Sequence, residues 1–116
     1  MTIKAETPED ITRLFVERAN AGDVDGLVEL YEPDAVLAYP PGSTSVGHDA
    51  IRAVFATMLQ HVPRFEPEDA LPTVRHGDLA LTSTAAKDGT GGRVQVVRRQ
   101  AGGGWLRVID RPEQRG

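Results

Sequence analysis

The chain has 116 residues and a formal net charge of −4 at pH 7, and it contains no cysteine. This length predicts a single domain over residues 1–116, with the hydrophobic content (40%) and charged content (26%) of an ordinary globular protein. The acidic balance disfavours nucleic acid as a partner, and the lack of cysteine excludes disulfides, thiolate metal sites and a thiol nucleophile.

The N-terminal sequence "MTIKAETPED" lacks the apolar core of a signal peptide. No apolar run approaches the length of a membrane span, so we expect no membrane partner. The default expectation is a cytoplasmic protein.

The first predicted helix lies in "TPEDITRLFVERANAGD". Thr7 is a candidate N-cap, Pro8 suits the first helical position, and Asp10 has the spacing of a capping box. Apolar residues recur at helical spacing, and Gly22 is a candidate left-handed residue that ends the helix.

A second, shorter helix is predicted in "DVDGLVELY", where Asp23 is the cap and Tyr31 shares the apolar face. The turn "EPD" follows, and "AVLAY" predicts a strand that ends at Tyr39. A third helix, from about His48 to Gln60, carries the cleanest apolar stripe of the chain.

After Pro63 the hydrophobic period changes to short alternating or β-branched runs separated by glycine-rich turns. This pattern predicts three or four antiparallel strands, with "KDGTGG" and "AGGG" as hairpin turns and "RPEQRG" as a loose tail. Helices in one half and a strand meander in the other indicate the α+β class, with the helices on one face of a curved sheet.

Four segments in this order resemble the nuclear transport factor 2-like superfamily: "ANAGDVDGLVELYEPDAVLAYPPG", "VGHDAIRAVF", "GDLALTST" and "VVRRQAGGGWLRVID". Within it the chain is similar to the SnoaL-like and DUF4440-type small proteins, which include relatives of steroid isomerases. The resemblance covers about Pro8 to Pro112. It implies a cone-shaped fold in which three N-terminal helices pack on a curved, mostly antiparallel sheet and enclose a pocket for a small hydrophobic molecule.

The resemblance also implies that the outer face of the sheet packs on a second subunit. The residues favour this independently, since Leu79 and Leu81 alternate with Ala80 and Thr82, so that both faces are partly apolar. An antiparallel sheet with one wet face alternates more cleanly. We therefore expect a homodimer.

Two residues are candidates for catalysis. Asp110 ends an apolar late strand, and some SnoaL-like cyclases carry a catalytic aspartate on a late strand. Desolvation at this position would raise the pKa of the carboxyl group and make it a usable base. Alternatively, Asp110 has a structural role and pairs with Arg107 or Arg111. Tyr39 stands at the mouth of the first strand before "PPG", either as a hydrogen-bond donor to a ligand or as a packing residue with its hydroxyl in water. The predicted lining of the pocket comprises Phe15, Leu37, Tyr39, Phe55, Met58 and Trp105.

The steroid isomerases of this superfamily use a carboxylate at the end of the first strand and a phenol on the first helix. Alignment places Tyr39 and Phe15 at these positions, so neither group is present. A neutral phenol is a poor base at pH 7, and phenylalanine donates no hydrogen bond. We expect no steroid isomerisation by that mechanism.

The three histidines, His48, His61 and His76, fall in predicted turns or helix ends and form no metal-ligand spacing, so no metal and no cofactor is predicted. The sequence leaves two functions open. One is an enzyme of the cyclase, isomerase or lyase type acting on a hydrophobic carbonyl compound, and the other is a non-catalytic ligand-binding or dimerisation module.

Overall fold

The structure is a computed structural model that describes residues 4–62, 64–66, 70–85 and 92–112. Its elements follow in the order α1 (Pro8–Asn20), α2 (Val24–Val28), β1 (Tyr31–Leu37), β2 (Ser45–Val46), α3 (His48–His61), β3 (Val74–His76), β4 (Leu79–Ser83), β5 (Val94–Arg99) and β6 (Trp105–Arg111). The fold is α+β, as predicted. The described helices are not consecutive, because β1 and β2 precede α3.

The start and end of α1 confirm the predicted signals. The Thr7 side chain accepts a hydrogen bond from the Asp10 amide, and the Asp10 side chain accepts one from the Thr7 amide. After the helix, Gly22 has φ of 70°, a left-handed conformation that glycine adopts without steric cost. The capping box and this glycine therefore fix both ends of α1.

The second helix is shorter than predicted, and Tyr31 does not belong to it. Asp23 caps the helix through the Gly26 amide, but α2 ends at Val28 and Tyr31 opens β1. The predicted strand was placed at 35–39, whereas β1 covers Tyr31–Leu37 and includes the predicted "EPD" turn. The reason is tertiary: the strand pairs in parallel with β6, a partner that local sequence does not reveal.

The six strands form one open sheet in the order β2-β1-β6-β5-β4-β3. All neighbouring pairs are antiparallel except β1 and β6. The four strands after residue 63 confirm the predicted meander, and "AGGG" forms the turn between β5 and β6. The predicted "KDGTGG" turn and most of the predicted tail lie outside the described residues.

One face of the sheet carries the core. Ala35, Leu37, Ala80, Val97 and Trp105 on the strands are buried together with apolar residues of the helices. On the opposite face several large apolar side chains are exposed, including Leu79, Leu81 and Ile109. Within the described part of the chain, no helix has the length and apolar character needed to cross a membrane.

Candidate active site

Asp110 lies inside the protein rather than in bulk solvent. It is the sixth residue of β6 and is only 4% exposed. One of its carboxylate oxygens, Oδ2, accepts a hydrogen bond of 2.5 Å from the Tyr31 hydroxyl and lies 3.4 Å from Nη1 of Arg107. Both partners are as deeply buried as the carboxylate, at 1% and 4% exposure. These three residues are called the Asp110 cluster below.

The strand pairing brings the Asp110 cluster together. Tyr31 at the start of β1 is the parallel partner of Arg107 on β6, and Asp110 follows on the same strand. A register shift in β6, which pairs Val97 with Arg107 but Val96 with Ile109, turns both Arg107 and Asp110 toward the core. Without this bulge, residues three apart on a strand would point to opposite faces.

Tyr31 is a buried phenol whose hydroxyl makes two charge-assisted hydrogen bonds. It donates to Asp110 and accepts from Nη1 of Arg107 at 3.1 Å. Burial raises the pKa of Tyr31 far above its usual range, and the negative charge of Asp110 raises it further, while the Arg107 guanidinium opposes them. The phenol is therefore neutral and a donor at physiological pH.

Arg107 compensates the buried negative charge. Its guanidinium carbon lies 5.1 Å from the centre of the Phe15 ring and 5.6 Å from that of Tyr31, within range of a cation–π contact. A buried carboxylate is costly unless it is paired, and this arginine supplies the pair. Of the two arginines predicted as alternative partners of Asp110, the structure selects Arg107.

The second carboxylate oxygen of Asp110, Oδ1, has no hydrogen-bond partner among the described residues and is buried. Leaving a buried polar atom unpaired costs about 1–3 kcal/mol, and more for a charged group. Such an atom is a position at which a ligand or a reacting proton can be accommodated.

Most residues of the predicted pocket lie in the core. Phe15, Leu37, Phe55 and Trp105 are buried, and Met58 packs against them while partly exposed. The rings of Phe15 and Phe55 meet edge to face with centroids 5.6 Å apart. Phe55 also lies 5.7 Å from the Tyr31 ring, and Leu37 is the strand partner of Asp110. Of the predicted lining, Phe15, Leu37 and Phe55 therefore lie next to the Asp110 cluster.

Tyr39 does not join them. The strand ends two residues earlier, at Leu37, and the Tyr39 side chain is 45% exposed. Its carbonyl oxygen accepts from the Ser45 hydroxyl at 2.8 Å, while its own hydroxyl bonds to none of the described residues.

His48 and His61 lie at the ends of α3, as predicted, whereas His76, predicted in a turn, is the last residue of β3. His48 begins α3 and donates from Nε2 to the Tyr31 carbonyl oxygen at 2.8 Å, whereas His61 ends α3 and His76 ends β3. Among the described residues no group of three or more acidic, histidine or cysteine side chains could hold a metal ion.

A cavity of about 400 Å³ opens at the hairpin end of the sheet, away from Asp110. Trp105 of the predicted pocket contributes to it, together with Leu30, Leu106 and the glycines of the β5–β6 turn. Its lining includes none of the three residues of the Asp110 cluster.

The sequence predicted Asp110 as a candidate and Arg107 as one of its possible partners, but it did not predict the contact with Tyr31. Tyr31 was assigned to the apolar face of the second helix, and Arg107 was considered only as a partner of Asp110. The spacing of Arg107 and Asp110 on one strand was the available signal, since a basic and an acidic residue three apart meet only across a bulge.

Comparison with known proteins agrees with this fold. A model of the SnoaL-like domain family matches residues 12–111. No curated protein sequence matches the chain.

Solved structures similar to the chain include a candidate calcium/calmodulin-dependent protein kinase type II association domain from Thiobacillus denitrificans, with a TM-score of 0.78, 19% identity and 98% coverage of both chains. A ketosteroid isomerase-like protein from Erwinia carotovora has a TM-score of 0.72 and 19% identity over 89% of each chain. A nuclear transport factor 2-like protein from Novosphingobium aromaticivorans has a TM-score of 0.69 and 19% identity over 90% of this chain and 77% of the other. At this identity the likenesses concern the fold alone, and the family match confirms the predicted superfamily: the chain belongs to the SnoaL-like domain family of nuclear transport factor 2-like proteins.

Proposed function

We propose that this protein binds a small hydrophobic carbonyl compound in a pocket of a cone-shaped fold and transfers a proton with Asp110, as a cyclase, isomerase or lyase. One observation supports this more than any other. Asp110 is a buried carboxylate with one oxygen held by Tyr31 and Arg107, and its other oxygen has no partner among the described residues. A carboxylate held in this way is prepared to accept a proton at a defined position.

In the proposed step, Oδ1 of Asp110 removes a proton from the carbon beside the substrate carbonyl. The electron pair of the broken C–H bond moves toward the carbonyl oxygen and forms an enolate. Asp110 then returns the proton at another carbon, or a group on the next carbon leaves with its bonding electrons. Every atom and electron comes from the substrate and the carboxyl group, so the step requires no further reactant.

Tyr31 and Arg107 act as positioning residues in this proposal. Their hydrogen bonds to Oδ2 fix the plane of the carboxylate and direct Oδ1 away from them. The aromatic residues around the cluster, Phe15 and Phe55, would exclude water and contact the apolar part of the substrate. Tyr39, with its exposed hydroxyl, would donate a hydrogen bond at the rim of the pocket.

Deuterium exchange tests the proposal without knowledge of the natural substrate. We would incubate 2-tetralone, a hydrophobic ketone with acidic protons beside the carbonyl, with the protein in D₂O and follow the loss of those proton signals by NMR. We expect exchange above the buffer rate with the wild type. Removing a general base costs about a hundredfold to ten-thousandfold in rate, so Asp110→Asn should approach the buffer rate.

The matched control is Asp34→Asn, which makes the same change at an exposed carboxylate on β1. It should exchange like the wild type. Equal rates for Asp110→Asn and the wild type, with both folded by circular dichroism, would show that Asp110 is not the base. An exchange rate of the wild type no higher than that of buffer would remove the catalytic proposal.

A second function, that of a dimerisation module, rests on the outer face of the sheet. One row of aliphatic side chains crosses all six strands at paired positions, which in sheet order are Val46, Val36, Ile109, Val96, Leu81 and Val74. We call it the aliphatic row. Four of its members are between 40% and 63% exposed. A contiguous exposed apolar surface marks an interaction site, and a second copy of the chain offers a self-complementary one.

Sedimentation at micromolar concentration tests this second proposal. We expect a dimer for the wild type and a monomer for Leu81→Lys, because the substitution puts a charge within the aliphatic row. Ala53→Lys adds the same charge at an exposed position of α3 and should remain a dimer. A monomeric wild type would be incompatible with the proposal.

A further inference from the structure

Buried polar side chains form a second row on the inner face of the sheet, beside the Asp110 cluster. Thr82 on β4 pairs with Gln95 on β5, and Gln95 pairs with Asp110 on β6. The three residues are 7%, 4% and 4% exposed. The neighbouring inner row contains the buried apolar residues Ala80 and Val97, which offer no hydrogen-bonding groups. Buried polar groups are normally hydrogen-bonded, so the polar side chains of the second row need partners elsewhere.

Among the described residues, this row keeps one fully buried polar atom without a partner, Oδ1 of Asp110. The Thr82 hydroxyl donates to Oε1 of Gln95 at 2.8 Å, which fixes the orientation of the amide. The amide nitrogen Nε2 of Gln95 also donates to none of the described residues, but unlike Asp110 Oδ1 it is not a fully buried atom and retains contact with solvent. Asp110 Oδ1, on the strand beside it, accepts from none of them either. A donor and an acceptor without partners thus lie on directly paired residues.

We propose that Gln95 and Asp110 together recognise a ligand that carries a carbonyl oxygen next to an N–H or O–H group. The carbonyl accepts from Nε2 of Gln95, and the ligand's own donor bonds to Oδ1 of Asp110. Paired residues of antiparallel strands have Cβ atoms about 5 Å apart, so a compact ligand with its two polar groups close together can reach both side chains. Cyclic secondary amides and the enol forms of hydrophobic diketones have this arrangement.

This inference rests on the proposed function, because it names the class of compound that the same site accepts. It also excludes a class. A ligand with a carboxylate or phosphate at this position would bring a negative charge beside Asp110 and offer it no donor. Thr82 is a positioning residue here, since its hydroxyl holds the Gln95 amide with the nitrogen end free.

Two matched probes test the donor–acceptor requirement on the wild-type protein. The first is 2-quinolone, whose ring N–H lies beside its carbonyl, and the second is N-methyl-2-quinolone, which keeps the carbonyl and lacks the donor. Dissociation constants come from titrations followed by backbone amide NMR. A site built to bond a polar group rejects an analogue that lacks it, and we expect 2-quinolone to bind at least about tenfold more tightly. Equal binding of both probes, or binding of neither, would overturn the proposal.

Substitutions then assign the contacts. Gln95→Met keeps the length of the side chain and removes the donor, so it should weaken binding of both quinolones, which share the carbonyl. Thr82→Val should weaken binding as well, because the amide is no longer oriented. Thr84→Val is the matched control: Thr84 is equally buried at 7% exposure, but its hydroxyl oxygen accepts from the Arg93 amide. Unchanged affinity in Gln95→Met, or equal losses in the two threonine variants, would contradict the assignment.

The outcomes separate this inference from the proposed catalysis. If deuterium exchange depends on Asp110 but the two quinolones bind equally, Asp110 is the catalytic base and the recognition of a donor–acceptor pair is refuted. If 2-quinolone binds more tightly but no exchange is catalysed, the recognition of a donor–acceptor pair is supported and the catalytic role of Asp110 is refuted.

Discussion

Replacing Tyr31 by phenylalanine removes one buried oxygen and leaves the ring in place. That oxygen donates to Asp110 at 2.5 Å and accepts from Arg107 at 3.1 Å, and all three residues are at most 4% exposed. The variant therefore tests whether the Asp110 cluster is an energetically coupled unit of the core.

The magnitude follows from the two bonds. A hydrogen bond to a charged group contributes about 1.5–3 kcal/mol, but Arg107 already lies 3.4 Å from Asp110 and can move closer when the phenol is lost. We therefore expect a loss near the middle of that range, about 2 kcal/mol in the free energy of unfolding. For a domain of this size the midpoint of thermal unfolding should fall by about 8 °C.

Urea unfolding followed by circular dichroism measures this loss, and the chain supplies its own control. Its only other tyrosine is Tyr39, which is 45% exposed and whose hydroxyl bonds to none of the described residues. Tyr39→Phe makes the same chemical change and should stay within about 0.5 kcal/mol of the wild type. If the two variants are equally stable, the hydrogen bonds of Tyr31 contribute nothing, and the coupling argument is refuted.

The same pair of variants predicts a dependence on alkaline pH. Because the pKa of Tyr31 is raised in the folded protein, the unfolded chain loses this proton first. The contribution is fully present below about pH 10, the ordinary value for tyrosine, and is lost as the pH rises above it. Stability should thus fall above pH 10 in Tyr39→Phe, and the part of the fall due to Tyr31 should be missing in Tyr31→Phe.

Three further predictions concern other residues. Thr7→Ala removes the capping box of α1 and should cost about 1 kcal/mol by urea unfolding. Arg107→Met should cost about 3 kcal/mol or more because it leaves a buried carboxylate without its counter-ion, and adding Asp110→Asn should recover part of that loss in a double-mutant cycle. The wild type should show no Δ5-3-ketosteroid isomerisation above background in an absorbance assay, since the predicted alignment puts Tyr39 where the base is required and Phe15 where the phenol is required; turnover would refute that alignment.

Much of the fold could be predicted because its signals are local. The capping box of Thr7 and Asp10 and the apolar stripe of α3 lie within one or two helical turns of sequence. The hairpin between β5 and β6 is likewise encoded by consecutive glycines. In these segments intrinsic preference and tertiary structure agree, so the pattern identified the element.

The start of β1 could not be predicted, and for this reason Tyr31 was not recognised as a neighbour of Asp110. The residues from Val24 to Tyr31 have helical spacing, but a parallel partner 76 positions away places Tyr31 in the sheet. Tertiary pairing outweighed local propensity. The partner of Asp110 was therefore assigned to a helix instead of the adjacent strand.

The residues of the candidate site also differ in how far the sequence alone could identify them. Asp110 could be found because an acidic residue that ends an apolar strand is unusual in itself. Gln95 could not, because its importance depends on the register that pairs it with Asp110 and on the bulge in β6 that turns Asp110 inward. A glutamine in an alternating strand has no distinguishing mark until that register is known.

The buried phenol and carboxylate of this protein lie at other positions than those that the steroid isomerases use. In the alignment predicted from the sequence, Phe15 stands at the position of the helical phenol; its ring lies against the Arg107 guanidinium, and the buried phenol of this chain is Tyr31 on β1. The strand-end position carries Tyr39, which is 45% exposed. A carboxylate introduced there by Tyr39→Asp would be hydrated and would lack the desolvation that strengthens a base. Restoring the isomerase residue type at that position therefore does not restore its chemistry, because the buried polar groups of this protein converge on Asp110.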